Sequence, residues 1–244
     1  MDYLEEHESM AVSDICSLFQ VSRDTARRDI VKLAEQGTVV RTHGGIALAK
    51  FIQKTQEYAL RLKNEPEGKL HIGKRAASYI RENEMIFLDV STTVRCMIPN
   101  LNVQSLTVVT HSLDNAWALL DKEGIQTHLL GGMINRKLRH LTGCGTLKKL
   151  EDYRFSKVFL GAAGITNEGI YYYDEDDMYF KRELVKRSGE AIILADHTKF
   201  GRYSAFKGLD FSVIGMIITN QPVGGELQEI IEGQGIKLIV AQEN

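Results

Sequence analysis

The sequence lacks the features that define several large classes of protein. It contains only three cysteines, Cys16, Cys96 and Cys144, which are too few and too scattered for a disulfide framework or a zinc site. No window approaches the ~18 consecutive apolar residues that a membrane-spanning helix needs. The N-terminus is acidic and does not have the pattern of a secretory signal. These absences predict reduced thiols in a cytoplasmic protein.

The sequence also lacks a strong net charge. Its formal charge is −2, so the composition as a whole does not indicate a polyanionic partner. The charges are unevenly placed, because residues 1–20 contain five acidic side chains and no lysine or arginine, whereas residues 21–48 contain five basic and three acidic ones. Such a small local surplus favours a dimer or tetramer, in which each added subunit supplies further contacts to phosphate groups.

The length and the apolar content fit an ordinary globular protein of two parts. The chain has 244 residues, of which 43% are hydrophobic and 25% are charged. This is enough material for one small domain and one medium-sized domain, each with a core of its own.

Residues 21–45, VSRDTARRDIVKLAEQGTVVRTHGG, have the pattern of a DNA-recognition helix followed by a hairpin. Ser22 occupies the position of a helix N-cap, where its hydroxyl can accept a hydrogen bond from a backbone N–H group. Ala26, Ile30 and Leu33 then fall on one face of the helix. The polar side chains between them face the opposite way, and we expect that face to enter a DNA groove.

A short helix is predicted before the recognition helix. Val12, Ile15, Leu18 and Phe19 have helical spacing, and Ser13 is the expected cap. The brief bend after this helix has the length typical of a helix-turn-helix.

A hairpin wing is predicted after the recognition helix, which Gly37 is expected to end. Residues 38–43 are rich in β-branched side chains and are followed by two glycines. An arginine pair on a helix is also common on an ordinary solvated surface, so the interpretation depends on the cap, the apolar face and the two flanking elements together. The candidate DNA contacts are Ser22, Arg23, Thr25, Arg27, Arg28, Lys32, Arg41 and His43.

The pattern changes after residue 69, following a mostly polar helix that ends in the turn sequence NEPEG at 64–68. Residues 69–82 predict a helix that opens the second domain. Seven apolar runs follow, and their continuous hydrophobicity indicates a parallel sheet that is buried on both faces. The predicted strands are 85–90, 106–110, 125–132, 157–165, 190–196, 213–220 and 236–242, and the predicted crossover helices are 112–121, 144–152, 175–188 and 224–233.

The predicted fold class is therefore α/β with two domains. An N-terminal winged helix-turn-helix domain covers 1–48, and a linker helix and turn cover 49–68. A larger α/β domain with a mainly parallel sheet covers 69–244.

Polar residues close several of the predicted strands, at the edge where open parallel sheets bind ligands. The sequence DVSTT at 89–93 brings hydroxyl groups to the start of a helix, which is the pattern of a phosphate site or of an ordinary N-cap. Residues 110–112 and the glycine pair 131–132 close the next two strands. Asp196 and Lys199 follow a later strand and could bind a sugar phosphate or form a surface salt bridge.

Two further patterns predict that the protein uses neither a metal nor a nucleotide cofactor. The acidic run DEDD at 174–177, which precedes Lys181 and Arg182, is expected to be a solvated loop and not a metal site. The sequence GCG at 143–145 lacks the third glycine and the preceding strand of a dinucleotide fingerprint. We therefore expect no NAD and no other cofactor.

Motifs in both halves of the chain resemble one family. VSRDTARRDIVKLAEQG followed by RTHGG resembles the signature of the DeoR family of bacterial sugar-metabolism regulators. In the second half, DVSTT is similar to the family pattern Asp-x-Gly-Thr-Thr with Ser91 in place of glycine, and VVTHS is similar to VVTNS with His111 in place of asparagine. LLGG, FLGAAGI, a KR pair and LADHTKFG follow in the family's order.

The resemblance implies a sensor domain that is similar to the ribose-5-phosphate isomerase and CoA-transferase folds. The sequence departs from the family pattern at MDYLEEHESM, because members usually carry further residues, including a basic one, before this segment. We expect either that the start codon is assigned late or that the chain lacks part of the first helix. Two of the substitutions fall at the implied pocket, so the effector itself stays open. By this resemblance, a pocket for a phosphorylated sugar is lined by Asp89, Ser91, Thr92, Thr93, His111, Gly131, Gly132, Lys181, Asp196 and Lys199.

The leading hypothesis is a DNA-binding transcription regulator and not an enzyme. It would be a cytoplasmic homo-oligomer that represses a carbohydrate catabolic operon and is released by a phosphorylated sugar, which must bind the DNA-free conformation more tightly. The alternative is a sugar-phosphate isomerase or CoA-transferase-like enzyme, in which Asp89, Asp196 and Lys199 transfer protons. An isomerase has no need of an arginine-bearing helix with a wing, and this favours the regulator.

Overall fold

The computed structural model describes residues 2–7, 9–35, 39–41, 45–48 and 58–242. The N-terminal part contains three helices and three short strands among these residues. In chain order they are α1 Asp2–His7, β1 Ser9–Ala11, α2 Val12–Phe19, α3 Arg23–Glu35, β2 Val39–Arg41 and β3 Gly45–Leu48.

Helix α3 is the predicted recognition helix. The Ser22 Oγ atom accepts a hydrogen bond from the Thr25 backbone N–H at 3.2 Å, as an N-cap should. Ala26 and Ile30 are buried on its inner face, and Leu33 is half-buried beside them. The residues after Glu35, including Gly37, lie outside the described part of the chain.

Helix α2 differs from its prediction in two details. Its N-cap is Ala11 and not Ser13, and the Ala11 N–H donates to the Asp14 side chain at 3.3 Å. Leu18 and Phe19 were expected to pack into the core, but they are 54% and 57% exposed.

Strands β1, β3 and β2 form an antiparallel sheet in that order. The hairpin of β2 and β3 is the predicted wing, whereas the addition of β1 was not predicted. Gly45 permits this addition, since a Cβ atom there would lie 2.0 Å from the Met10 carbonyl oxygen. The N-terminal core consists of Leu4, Met10, Ile15, Ala26, Ile30, Val39 and Ile46.

The larger part begins at Tyr58 and alternates helices with strands. Its elements are α4 Tyr58–Lys63, α5 Pro66–Ala77, β4 Glu84–Leu88, α6 Thr92–Arg95, β5 Leu106–Thr110, α7 Leu113–Leu119, β6 Ile125–Leu129, β7 Met133–Asn135, β8 His140–Thr142, α8 Cys144–Lys149, β9 Phe155–Gly161, β10 Gly164–Thr166, β11 Gly169–Tyr172, α9 Glu175–Lys186, β12 Ser188–Leu194, β13 Phe206–Leu209, β14 Met216–Thr219, α10 Gly225–Gly233 and β15 Lys237–Val240. Short 3-10 helices occupy Ile98–Asn100, Leu150–Asp152, His197–Lys199 and Phe211–Val213.

Seven strands form one parallel sheet in the order β15-β14-β12-β9-β4-β5-β6. Each of them corresponds to one of the seven predicted strands, so the α/β fold class is confirmed. Along β4, Phe87 points into one hydrophobic core while Ile86 and Leu88 point into the other. Burial on both faces explains why the strands have no polar alternation.

Helices cover both faces of this sheet. Helix α5 supplies Ile72 and Ala76 to the core on one face. Helices α9 and α10 supply Leu184 and Ile231 to the core on the other. No helix within the described ranges is long and apolar enough to cross a membrane.

Two small sheets were not predicted. Strands β10, β11 and β13 form an antiparallel sheet, and β7 pairs with β8. The predicted strand 157–165 therefore divides, since β9 ends at Gly161 and β10 joins the second sheet. Strands of three or four residues are too short to show a hydrophobic period, which is why the sequence did not reveal them.

Helix α5 begins three residues before its predicted start at residue 69. Pro66 is its first residue, where the missing N–H of proline costs no intrahelical hydrogen bond. The predicted linker 49–68 thus contains the start of α5, and residues 49–57 lie outside the described chain. The proposed boundaries at 48 and 68 remain predictions.

Candidate functional site

The order of the strands places a cleft between β4 and β9. The chain adds β5 and β6 on one side of β4, and then crosses to add β9, β12, β14 and β15 on the other. At such a reversal the connections that follow two neighbouring strands diverge, and ligands of open α/β sheets bind there. In this protein the reversal lies beyond Leu88 and Gly161.

Two adjoining cavities occupy this position, and we call them together the switch-point cleft. Arg61, Ser91, Ala162 and Tyr173 line both of them. The first is also lined by Asp89, Val90, Gly161, Ala163, Tyr172, Asp177 and Lys181. The second is also lined by Asn64, Lys69, Thr92, Thr93, Asp196 and Lys199.

The hydroxyl of Ser91 caps the short helix α6 at the floor of the cleft. Its Oγ atom accepts hydrogen bonds from the backbone N–H groups of Thr93 at 3.2 Å and Val94 at 3.5 Å. In the sequence, these backbone amides were candidates for a phosphate site or for an ordinary N-cap. In the structure, the Ser91 hydroxyl accepts their hydrogen bonds, as an N-cap does. Thr92 and Thr93 are themselves buried, each 4% exposed.

A buried ion network lies at one end of the cleft. The Lys181 Nζ atom is 3.2 Å from Asp89 Oδ1 and also pairs with Asp177. The other carboxylate oxygen of Asp89 accepts the Gly161 backbone N–H at 2.9 Å. The expectation that the acidic run 174–177 is a solvated loop is therefore corrected, because helix α9 begins within it and Asp177 faces inward.

The charges of this network favour one arrangement of protons. Burial lowers the pKa of Lys181, but the two carboxylates outweigh it and the pKa is raised. Burial by itself raises the pKa of Asp89, but the Lys181 ammonium outweighs this effect and holds the pKa of Asp89 below its usual value. Burial and the nearby Asp89 carboxylate raise the pKa of Asp177. The network is thus built around a charged pair of Lys181 and Asp89.

Donor atoms of Asp89, His111 and Asp177 lie within 4.8 Å of one another, a spacing that could hold a metal ion. The Lys181 ammonium contacts both carboxylates of this group. It supplies the positive charge that a metal ion would otherwise bring.

His111 lies beneath the cleft and does not line it. Its side chain is 2% exposed, and its ring centroid is 4.5 Å from that of Phe180 and 5.5 Å from that of Phe87. Burial lowers the pKa of His111 to about 3, which keeps the imidazole neutral near neutral pH.

Gly131 and Gly132 also lie apart from the cleft. They follow β6 at the edge of the sheet, where the Gly131 carbonyl oxygen accepts a hydrogen bond from Thr146 Oγ1 at 2.8 Å. A Cβ atom on Gly132 would lie 2.0 Å from the same Thr146 oxygen. The structure therefore brings together Asp89, Ser91, Thr92, Thr93, Lys181, Asp196 and Lys199 from the predicted pocket.

Sequence reasoning missed the cationic side chains Arg61 and Lys69 and the carboxylate of Asp177. Arg61 and Lys69 reach the cleft from helices that precede the sheet, and no local pattern marks them. Asp177 could have been found, because it stands four residues before Lys181 on one helix, the spacing of an intrahelical ion pair.

The exposed face of α3 carries most of the predicted DNA contacts. Ala26 and Ile30 fix its inner face, which leaves the candidate side chains in solvent. Ser22, Arg23, Thr25, Arg27, Arg28 and Lys32 are all exposed on this helix or at its cap, and Arg41 is exposed on β2. His43 lies outside the described residues.

Two models of known protein families match this chain, one in the N-terminal part and one in the α/β part. The DeoR-like helix-turn-helix domain matches residues 1–51, and the DeoR C terminal sensor domain matches residues 64–221. The chain belongs to the DeoR family. The resemblance seen in the sequence motifs is thereby confirmed.

Similar proteins are named as repressors. This DeoR-family chain is 38% identical to the HTH-type transcriptional repressor GlcR of Bacillus subtilis (strain 168), an alignment that covers 100% of the chain and 95% of that protein. It is 27% identical to the glycerol-3-phosphate regulon repressor of Escherichia coli (strain K12), with 98% and 95% covered. The hypothesis of a DNA-binding transcription regulator is confirmed.

A solved structure also shows a distant likeness. Ribose 5-phosphate isomerase A from Methanocaldococcus jannaschii is 14% identical to this DeoR-family chain, with a TM-score of 0.40. The likeness covers 56% of this chain and 55% of that one.

Proposed function

We propose that this DeoR-family protein represses a carbohydrate catabolic operon in the cytoplasm and leaves its operator when a phosphorylated sugar occupies the switch-point cleft. One observation carries the proposal. Among the described residues, Arg61, Lys69 and Lys199 line a single cavity together with one carboxylate, that of Asp196. Three cations against one anion suit a phosphate dianion, and the carboxylate can accept hydrogen bonds from sugar hydroxyls.

The name of one relative points to the same class of ligand. The glycerol-3-phosphate regulon repressor is named for a phosphorylated polyol. A phosphorylated sugar combines the same phosphate charge with several hydroxyl groups, and the cleft offers partners for both. Ser91, Thr92 and Thr93 add hydroxyl groups to this lining.

The operator would be bound by the exposed face of α3 and the wing. We propose that Arg27 and Arg28 reach bases or phosphates in the major groove and that Arg41 approaches from the wing. The basic surplus of residues 21–48 is small, so we propose a dimer or tetramer that binds half-sites about 34 Å apart or at multiples of this distance.

The carboxylate of Asp89 supports a sensing role over the isomerase alternative. One of its oxygens accepts the Gly161 N–H and the other faces the Lys181 ammonium. A general base needs a carboxylate oxygen within reach of a substrate proton. We therefore propose no turnover of the bound sugar.

The test combines DNA binding with ligand titration. A gel shift on DNA upstream of the gene's own operon is titrated with glucose 6-phosphate, ribose 5-phosphate and glycerol 3-phosphate, with the free sugars and inorganic phosphate as controls. Release by at least one phosphorylated compound is expected, at concentrations where inorganic phosphate has no effect. Failure of every one of them to release the DNA, together with isomerase turnover by the wild type, would overturn the proposal.

A matched pair of lysine variants locates the ligand. Lys199→Met removes one of the three cations that line the second cavity and is expected to weaken the response to the active compound at least tenfold. Lys207→Met removes a lysine that pairs with Asp210 at 2.6 Å and lies outside the cleft. This control should respond as the wild type does.

A further inference from the structure

Helix α4 lies between the N-terminal part of the chain and the sheet in the sequence, and it lines the cleft. The chain leaves β3 at Leu48, and α4, Tyr58–Lys63, is the next described element. Tyr58 is 1% exposed and its burial raises its pKa to about 12. Three residues later, Arg61 lines both cavities of the cleft. One short helix thus lines the switch-point cleft and is the first described element after the N-terminal domain in the chain.

The C-terminal end of α4 is held by Lys69. The Lys69 Nζ atom donates a hydrogen bond to the carbonyl oxygen of Arg61 at 2.7 Å and another to that of Asn64. The last carbonyl groups of a helix have no partner within the helix, and a cation beside them is favourable. Lys69 therefore acts as a C-terminal cap for α4.

This cap is provided by a firmly packed element. Lys69 belongs to α5, whose Ile72 and Ala76 are fully buried against the sheet. Helix α4 is much shorter, at six residues, and an isolated helix of this length is unstable. The position of α4 therefore depends on its contacts with neighbouring elements, such as the hydrogen bonds from Lys69.

Lys69 also has an unusual electrostatic position. Its side chain is 4% exposed and lines the second cavity, and it forms no salt bridge within the described part of the chain. Burial lowers its pKa, and Asp196 opposes this change without contacting it. The ammonium is satisfied by neutral carbonyl oxygens, whereas a phosphate oxygen would give a stronger, charge-assisted hydrogen bond.

The guanidinium group of Arg61, like the Lys69 ammonium, could gain a stronger hydrogen bond from an anion. Its Nε atom is buried and has no hydrogen-bond partner among the described residues. Its guanidinium carbon lies 5.5 Å from the centroid of the Tyr58 ring, on the same helix. An anion that enters the cavity therefore meets one cation on α4 and another that holds α4 in place.

We propose that Lys69 is the contact through which the cleft controls α4. In the ligand-free protein its ammonium caps the carbonyl groups of Arg61 and Asn64. A phosphate group in the second cavity draws the ammonium away, so α4 loses its cap and the element that leads to the N-terminal domain is loosened. The inference rests on the proposed function, because it takes the anion to be the phosphate of the effector. Lys69 is a positioning residue for α4 as well as a ligand contact.

The experiment compares two methionine variants of the full-length protein. Lys69→Met keeps the length of the side chain and removes its charge and its hydrogen bonds to the two carbonyl groups. The control is Lys122→Met, since Lys122 also donates to a backbone carbonyl, that of Pro99 at 3.0 Å, but lies outside the switch-point cleft. Hydrogen exchange of the amides of residues 58–64 and operator affinity are measured for both without ligand.

Lys69→Met is expected to raise the exchange rates of these amides at least tenfold and to weaken operator binding at least tenfold. Lys122→Met should match the wild type in both measurements. Wild-type exchange and wild-type operator affinity in Lys69→Met would overturn the proposal.

A second measurement uses the wild type alone and does not depend on whether a variant folds. Saturating glucose 6-phosphate, ribose 5-phosphate or glycerol 3-phosphate, whichever releases the operator, should speed exchange in residues 58–64 as the variant does. Release of DNA with unchanged exchange there would overturn the role of Lys69 while the proposed function stands. If no phosphorylated compound releases DNA, the proposed function fails, and weakened operator binding in Lys69→Met would still support the control of α4 by Lys69.

Discussion

Gly161 and Ser91 meet at a distance that leaves no room for a side chain on the glycine. A Cβ atom at position 161 would lie 2.4 Å from Ser91 Cβ and 2.6 Å from its Oγ atom. The Gly161 N–H also donates to Asp89 at 2.9 Å, so its backbone is held from the other side. The end of β9 is thus fixed against the cap of α6, and both residues line the cleft.

Gly161→Ala should therefore disturb the cleft and the fold together. We expect the free energy of unfolding to fall by about 1–3 kcal/mol, the usual effect of overpacking. Effector binding should weaken at least tenfold, as measured by calorimetry with the compound that releases DNA.

Gly131→Ala is the matched control for this variant. A Cβ atom on Gly131 meets nothing within 4 Å, so wild-type stability and wild-type effector binding are expected. Because the sequence resemblance assigned Gly131 to the effector pocket, loss of binding in Gly131→Ala with none in Gly161→Ala would move the pocket to the end of β6.

Substitution of the recognition-helix arginines should weaken operator binding and leave the α/β domain unchanged. Arg27→Ala and Arg28→Ala should each cost about 1–3 kcal/mol of binding free energy per subunit, and loss of a phosphate contact should also flatten the salt dependence. Fluorescence anisotropy at several salt concentrations measures both effects. Arg154→Ala, which removes an exposed arginine of the α/β domain, is the control. Wild-type affinity and salt slope in the double variant would place the DNA surface elsewhere.

Lys181→Met should show how strongly the buried network depends on its cation. The change leaves Asp89 and Asp177 buried without their partner, and removal of one member of a buried ion pair costs about 3–5 kcal/mol of folding stability. Urea denaturation near pH 7 measures the loss.

The loss in Lys181→Met should shrink in acid. Two uncompensated carboxyl groups have folded-state pKa values above their unfolded values, so they stabilise the fold at low pH and lose that contribution as the pH rises through the folded value. Lys186→Met, on the same helix but 68% exposed, should change stability by less than about 1 kcal/mol. A loss in Lys181→Met that stays constant between pH 7 and pH 4 would contradict this account.

His111 should make the stability of the wild type depend on pH. Burial lowers its pKa to about 3, so the unfolded chain takes up a proton first as the pH falls below about 6.5. The folded-state pKa is the lower one, and stability is therefore lost as the pH falls, by about 2 kcal/mol between pH 7 and pH 5. His111→Asn should remove this part of the dependence in denaturant unfolding.

Phe180→Leu is the control for the packing lost in His111→Asn. The Phe180 ring packs on the imidazole, with 4.5 Å between the centroids. This variant should be less stable at both pH values and should keep the wild-type slope. Equal slopes in all three proteins would show that His111 does not titrate in the expected range.

The sequence predicts features that depend on neighbours in the chain. Ser22, Ala26 and Ile30 define the recognition helix because a cap and an apolar face are both local patterns. The strands of the large sheet are recognisable because burial on two faces makes each of them continuously apolar. Strand ends then locate the cleft, since parallel strands bring their carboxyl ends to one edge.

Features that arise from distant contacts were not predictable in the same way. Nothing near Lys69 marks it as buried, because its burial follows from how α4 and α5 meet. The exposure of Leu18 and Phe19 was missed for the opposite reason, since their helical spacing matches a core face although α2 buries only Ile15. The sequence resemblance assigned Gly131 to the effector pocket, and the structure places this glycine after the edge strand β6, apart from the switch-point cleft.

The cap that Ser91 forms on α6 affects how this protein can evolve. Because that hydroxyl accepts the hydrogen bonds of the Thr93 and Val94 amides, an anion in the second cavity would be bound by the side chains of Arg61, Lys69 and Lys199. A site made of backbone amides changes only when the main chain is rebuilt, whereas a site made of side chains can change through one codon at a time. If the cleft binds the effector as we propose, recognition of a new metabolite is accessible by single substitutions around an unaltered scaffold.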